Sequence, residues 1–397
     1  MLKPGCRLKP NFLLSPILEV CVTMNITQIL QGVDNLSAGP TYSVGFLAHH
    51  LAGRSHSVRV LSLGEEPTSW PYAAPLYIYG GRICRYGLAP YSAVRAVITL
   101  MTQPGILHGH GVWRISNLFP LLPGKHPMAK LVWSPRGMFS PWSWKHKAIV
   151  KRPFWHTLQK PALDRVDCFH ATAPIELDDV RRVGFRQPVA VIPNGVELPY
   201  LPKFPKKGKQ VVFLSRIHEK KGLHLLIPAW GELAKQFPDW ELAIAGKLDS
   251  LYAEHVQQLV RENNIPRVTF LGEVLGEDKT NLLANARLFV LPTFSENFGI
   301  AIAEALAHAI PVITTVETPW TDLPERGCGW CIRPEQKALR DVLADAMARP
   351  LTELDAMGHA GRKWIAEDYG WENVAVMMEL LYRWLLGEGS RPEFVFV

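Results

Sequence analysis

Short apolar runs alternate with amphipathic stretches from Asn25 onward. NITQIL (25–30) reads as a strand followed by a polar, glycine-containing loop. Residues 41–51 read as a helix and SVRVLSL (57–63) as the next strand. ILH (106–108), LVWS (131–134), CFHAT (168–172) and VAVIP (189–193) are further strands, with amphipathic stretches at 91–101 and 175–183 between them. This alternation predicts a parallel sheet covered by helices on both faces. The segment LPYLPKFPKKGK (198–209), with three prolines and four lysines, predicts a solvated connector.

Alternation then restarts. VVFLS (211–215), ELAIAG (241–246), VTFLG (268–272), LFVLP (288–292) and PVITT (311–315) read as strands, separated by helices near 223–236, 251–263 and 278–285 and from about Gly299. Helices dominate after Glu335 and end with 372–386. The expected architecture is α/β. An extension (1–23) precedes a Rossmann-like domain (24–199) and a second Rossmann-like domain (200–374). A C-terminal helix and tail (375–397) return to the first domain. Ligands of open α/β sheets bind beyond the carboxyl ends of the strands, so the site is expected in a cleft between two facing sheets.

The 397 residues are 48% hydrophobic and 20% charged, which suits folded cores and excludes a disordered chain. No run of 18 apolar residues occurs, so no helix is expected to span a bilayer. Charge is unevenly placed. Residues 1–199 hold 21 Lys/Arg against 10 Asp/Glu, and residues 200–397 hold 22 against 26. Between Glu66 and Asp164 there are 12 Lys/Arg and no carboxylate, a field that attracts polyanions or an anionic membrane. Six scattered cysteines argue against a disulfide scaffold and for a reducing cytoplasm. The basic, then apolar N-terminus mimics a signal peptide, but Pro16 and Glu19 interrupt it and no small-residue cleavage site follows.

Chemistry is expected just after the strands. Arg216 and Lys221 follow VVFLS and lead into a helix, two cations suited to a phosphate or diphosphate, or else a solvated basic turn. After LFVLP comes TFSENFGIAIAEALA (293–307). Gly299 lets the backbone approach a ligand where a helix opens. Glu304, within an almost wholly apolar helix, needs a partner and leans back toward the helix start. Glu296 sits in the loop before it. His110 ends a strand. His108, two residues earlier, is expected on the opposite face as a core or supporting residue. Cys328-Gly-Trp-Cys331 reads as a packed turn, since no second ligand pair completes a zinc site.

The pair Glu296 and Glu304 in SENFGIAIAEALAHAIPVITT resembles the Glu-x7-Glu signature of GT4-type (glycosyl transferases group 1) retaining glycosyltransferases of GT-B fold. VIPNGVE (191–197), FLSRIHEKKG (213–222), GVDNLSAGP (32–40) and ILHGHGVW (106–113) resemble further family segments in matching order. WSPRGMFSPW (133–142) and TPWTDL (318–323) resemble a bacterial surface-polysaccharide subgroup. The resemblance implies transfer of a sugar from a UDP- or GDP-linked donor to a saccharide or lipid-linked acceptor, as in lipopolysaccharide or exopolysaccharide synthesis.

Site roles follow from the same resemblance. Arg216 and Lys221 would neutralise the donor diphosphate, and Glu304 would bind the ribose. Glu296, with backbone groups of Asn297, Phe298, Gly299 and Ile300, would hold the donor sugar and diphosphate. His110 would lie by the anomeric carbon, and Gly39 would let the first loop approach the diphosphate or the acceptor. That loop departs from the family, with one glycine before Pro40 where many members have paired glycines. No Asp-x-Asp occurs, so the expected chemistry uses neither metal nor other cofactor, and fixed cations stabilise the leaving diphosphate.

Within the acid-free span, Trp142, Trp144, Phe154 and Trp155 interleave with Lys145, Lys147, Lys151 and Arg152. This pattern suits peripheral docking on the anionic inner leaflet, or equally a basic surface helix whose aromatics pack inward. No nucleic-acid-binding module appears. A GT-B epimerase or phosphorylase, or a non-catalytic binding subunit, are the other readings. Phosphorylases of that fold commonly need a Schiff-base lysine motif not seen here, and the intact Glu296, Glu304, Arg216 and Lys221 oppose a merely binding subunit.

Overall fold

The computed structural model describes residues 23–33, 39–67, 69–80, 89–122, 128–145, 148–201 and 208–397. Most of the N-terminal extension, most of the first loop (34–38), Lys147 and most of the connector (202–207) lie outside the described residues, as do Cys6, Cys21 and Cys84. The chain divides into two compact units. One comprises the residues up to Gly195 together with Trp371–Val397, and the other is Val196–Gly370.

The first unit is built on β1 (Asn25–Leu30), β2 (Ser57–Ser62), β3 (Leu76–Ile78), β4 (Gly105–His110), β5 (Ala129–Ser134), β6 (Cys168–Ala171) and β7 (Val189–Val191). The second is built on β8 (Gln210–Leu214), β9 (Glu241–Ala245), β10 (Val268–Gly272), β11 (Leu288–Leu291), β12 (Val312–Thr315) and β13 (Gly329–Ile332). Returning to the first unit, the chain ends in β14 (Val395–Phe396). The strand orders are β14-β7-β6-β5-β4-β1-β2-β3 and β10-β9-β8-β11-β12-β13. Both contain the doubly wound order in which the first strand of the unit is central and succession reverses beside it.

Parallel strands covered on both faces are buried: every residue of β11 and β12 is buried, β11 as an apolar run and β12 with the Thr314 and Thr315 hydroxyls donating to the Leu291 and Thr293 carbonyls. The helices bury one stripe each. In the helix Tyr91–Met101, Ala93, Val97 and Met101, spaced by four, are the buried positions.

Two local expectations are corrected. The first sheet is not wholly parallel, because β14 pairs antiparallel with β7 along its edge. Cys328-Gly-Trp-Cys331 is not a turn: Gly329–Ile332 is β13, paired with β12. A Cβ on Gly329 would lie 2.1 Å from the Val312 carbonyl oxygen, so glycine there is what lets the edge strand dock. Cys328 and Cys331 are free, and burial pushes their thiols up to about 12 and about 11, away from the reactive thiolate.

Candidate functional site

In the second unit, β8 and β11 lie side by side where strand order reverses, the position at which such sheets bind ligands. Their two exit loops are locked together. Gly222, at φ +76°, opens the helix Leu223–Leu233, and a Cβ there would fall 2.0 Å from the Pro292 carbonyl oxygen. The Lys220 carbonyl accepts from the Phe294 N–H at 2.8 Å and from the Thr293 hydroxyl at 3.1 Å. This lock brings Lys221, which is buried, onto Glu296, with Nζ donating to Oε2 in a short ion pair. Arg216 is exposed and forms no ion pair among the described residues.

Three cations, Arg216, Lys220 and Lys221, thus fall in one short segment, with Glu219 and Glu296 the carboxylates near them. Burial first, then the charges of Lys221 and Arg216, hold Lys220 below the ordinary lysine range, with Glu296 opposing. A site with surplus positive charge beside a helix start is chemically fitted to an anion.

Gly299 is left-handed, at φ +82°, and caps the helix Ile300–Ala307. The preceding loop is pinned from outside: Glu296 N–H donates to the Glu317 carbonyl at 3.0 Å, and Trp320 Nε1 donates to the Phe298 carbonyl. Phe298 is buried against Trp320 and Tyr369, while Asn297 and Ile300 remain half-buried. Glu304 is buried, and its partner is Lys279, whose Nζ lies 2.7 Å from Oε1. Four expected residues, Lys221, Glu296, Gly299 and Glu304, therefore line the two exit loops and the helix that follows them.

The first unit holds a second polar cluster. His108 and His110 share one face of β4, their ring centroids 4.3 Å apart. The expectation of opposite faces fails because side chains two residues apart on a strand point the same way. His110 Nε2 meets Gln28 Oε1 at 2.7 Å, and Arg136 Nη2 meets His110 Nδ1 at 3.1 Å. His108 contacts the Tyr382 hydroxyl and Ser134 Oγ, each at 2.7 Å, and Ser134 Oγ contacts His170 Nδ1 at 2.7 Å. Burial above all, then neighbouring positive groups including Arg136, lowers His108 and His110 well below the usual histidine range, and His170 to about 3. All three rings are neutral near pH 7.

Sequence reasoning missed Gln28, Arg136, Asn194, His170 and Tyr382. The left-handed pair Arg136-Gly137, at φ +57° and +72°, marks the strand end, but no periodicity announces it. Gly39 begins the helix Gly39–Gly53, beside loop residues outside the description.

Of the basic-aromatic stretch, Trp144 and Trp155 meet edge to face with ring centroids 4.8 Å apart, and Trp155 is buried. Lys151 donates to the Ser143 carbonyl at 2.7 Å and sits over the Trp113 ring, whereas Arg152 is exposed. Lys145 ends the short helix Pro141–Lys145. No helix of the described residues is long and apolar enough to cross a membrane.

Two family models match the chain. Residues 38–195 match the glycosyl transferase 4-like domain and residues 201–364 match glycosyl transferases group 1. The chain is 27% identical over 232 residues to the phosphatidyl-myo-inositol mannosyltransferase of Mycolicibacterium smegmatis, covering 51% of this chain and 53% of that protein. It spans about half the length of the curated relatives it matches.

Among solved structures it resembles sucrose-phosphate synthase from Thermosynechococcus elongatus (TM-score 0.75, 21% identity, 92% of this chain and 100% of that one). It also resembles Anabaena HepE in complex with UDP and glucose (TM-score 0.71, 16% identity, 90% and 98%). At these identities the likeness shows the fold, which is GT-B.

Proposed function

Because the chain belongs to the glycosyl transferases of group 1, we propose that it is a retaining hexosyltransferase. It takes a UDP- or GDP-linked sugar and delivers it to a saccharide or lipid-linked saccharide during bacterial surface-polysaccharide assembly. The observation that carries this reading is the surplus of cations at the reversal of the second sheet, Lys221 paired with Glu296 and Arg216 in the same exit loop as Lys221, with Gly299 capping the helix after Glu296.

Leaving-group departure puts negative charge on the diphosphate and positive charge on the sugar ring. Lys221, held by Glu296, and the first-turn amides after Gly299 are fixed in place, and with the charge of Arg216 they stabilise the diphosphate, so this reading requires no metal. Glu296 holds Lys221 in place and accepts from the sugar hydroxyls. Glu304 exchanges Lys279 for the ribose hydroxyls. The departing phosphate oxygen takes the acceptor proton on the same face that the acceptor attacks, which preserves anomeric configuration.

The acceptor belongs to the first unit in this reading, and the enzyme works at the cytoplasmic face of the inner membrane. The exposed Ile149 and Arg152 support a peripheral contact, while Trp144 and Trp155 are committed to the core. Vesicles of anionic lipid should bind the protein and lose it on Arg152→Glu with Ile149→Asp. Undiminished binding by that variant removes the membrane step.

The deciding assay offers purified protein a panel of UDP- and GDP-sugars. Release of nucleoside diphosphate from one donor, with the transferred sugar keeping its anomeric coupling in proton NMR, is expected. No release from any donor, or an inverted product, overturns the reading.

A further inference from the structure

The polar centre of the first unit is a hydrogen-bond chain whose direction is fixed at one end. The Ile192 carbonyl can only accept, so His170 Nε2, 2.9 Å away, carries a proton. In the neutral ring Nδ1 then accepts, and the Ser134 hydroxyl donates to it. Ser134 Oγ accepts from His108 Nε2, and His108 Nδ1 accepts from the Tyr382 hydroxyl. The Tyr382 oxygen accepts from Gln28 Nε2 at 3.3 Å, and Gln28 Oε1 accepts from His110 Nε2. His110 Nδ1 is left to accept, and its donor is Arg136. Every link sets the next, and the chain starts at a guanidinium.

Both ring nitrogens of His110 are therefore engaged. It has no free proton or lone pair to offer a sugar. Arg136 differs. It is held by two neutral acceptors, His110 Nδ1 and Asn194 Oδ1 (2.8 Å), and its buried Nε–H has no acceptor among the described residues. No carboxylate forms an ion pair with it there. Glu176, the nearby acid, is occupied by the Gly137 N–H, the Thr172 N–H and the Thr172 hydroxyl. Arg136 is only half-buried and follows β5, at the carboxyl end of the sheet where ligands of such sheets bind. Its left-handed backbone is uncommon for a residue with a side chain, a conformation that persists where its surroundings demand it.

From this geometry we propose that Arg136 is a further substrate-binding residue, a cation reserved for a phosphate group, and that His110 is a positioning residue acting through it. The proposal rests on the transferase reading. The phosphate is one carried by a lipid-linked acceptor, which this reading assigns to the first unit. A cation hydrogen-bonded only to neutral acceptors keeps donors for the ligand, and two fixed Nη bonds aim it. Burial brings Arg136 to about 10, so it stays protonated at neutral pH.

The first test uses histidine-ring ¹⁵N NMR on the full-length wild-type protein. His108, His110 and His170 should all be Nε2–H tautomers that do not titrate around neutral pH. The groups around them are Arg136, Glu176, Tyr382 and one another. An Nδ1–H tautomer at His110, or its titration around neutral pH, overturns the chain.

The second test is kinetic. Arg136→Gln should lower kcat/KM by about 10- to 100-fold. A raised acceptor KM with unchanged UDP binding by calorimetry is expected. An unchanged acceptor KM refutes the role. His110→Asn keeps an acceptor where Nδ1 stood and should be at least about tenfold more active than His110→Phe. Equal loss in both contradicts action through Arg136. If wild-type protein transfers no sugar, the transferase reading fails, and Arg136 is judged on binding of inorganic phosphate by calorimetry, with unchanged affinity in Arg136→Gln overturning it.

Discussion

Lys221 donates from Nζ to Glu296 Oε2, joining two loops 75 residues apart in the chain, and both groups are largely withdrawn from water. The pair sits where Arg216 and Lys220 add further positive charge, so a bound diphosphate gains a cation already held in place. Lys221→Ala removes that cation and leaves Glu296 without its partner. Turnover should fall by about 10²- to 10³-fold, the size of losing one fixed donor at a developing oxyanion. Steady-state rates of nucleoside diphosphate release check this, and a kcat within a factor of three of wild type contradicts it.

Glu304 pairs with Lys279 at 2.7 Å in a helix that is otherwise almost wholly apolar. A carboxylate kept there for nucleotide binding should be missed by the ligand. Glu304→Ala is expected to weaken UDP or GDP binding by about 10- to 100-fold, the worth of a charged hydrogen bond or two. Lys279→Met removes the competitor and should bind nucleotide at least as well as wild type. Calorimetric affinities decide, and equal affinity in Glu304→Ala removes the ribose role.

Much of this was legible in the chain, and for physical reasons. Buried parallel strands are largely apolar runs, so β8, β9, β11 and β12 stand out, as do the loops that leave them. Short edge strands carry no such run. In β3 no residue is buried, and β13 has only Gly329 buried, so both escaped notice. Lys221 and Glu296 follow strands and were found together. The histidine chain was not, because its links come from distant elements: Tyr382 reaches His108 from 274 residues away. A pattern of apolar periods says where polar groups leave a strand, not which of them meet.

Gly222 tests whether the exit loops must be locked. At φ +76° an alanine is strained, and its Cβ would fall 2.0 Å from the Pro292 carbonyl oxygen, a backbone atom that cannot swing aside. Gly222→Ala should cost about 2–4 kcal/mol of stability and weaken nucleotide binding as Lys221 shifts from Glu296. Gly53, with open space around it, is the control; Gly53→Ala should stay within about 0.5 kcal/mol. Urea unfolding of the three proteins checks the contrast, and equal midpoints would show that the loops tolerate separation.

Glu379 ties the C-terminal helix Trp371–Leu386 into the first unit. Arg54 Nε lies 2.6 Å from one oxygen, Arg383 Nε lies 2.9 Å from the other, and His56 Nε2 approaches at 3.5 Å. Burial alone would raise this carboxyl, but the close approach of the His56 ring and the hydrogen bonds from Arg54 and Arg383 overcome it and hold Glu379 at about 2, against an ordinary 4.5. A carboxyl depressed in the folded state binds its proton more readily when unfolded. Its contribution is therefore complete above about pH 4.5 and disappears as pH falls toward about 2. The depression corresponds to on the order of 2–3 kcal/mol. Glu379→Gln should lose about that much at pH 7 and show a flatter stability profile than wild type between pH 4.5 and 2.5. Urea midpoints across this range measure both slopes, and parallel slopes would mean that these three groups do not hold the charged form.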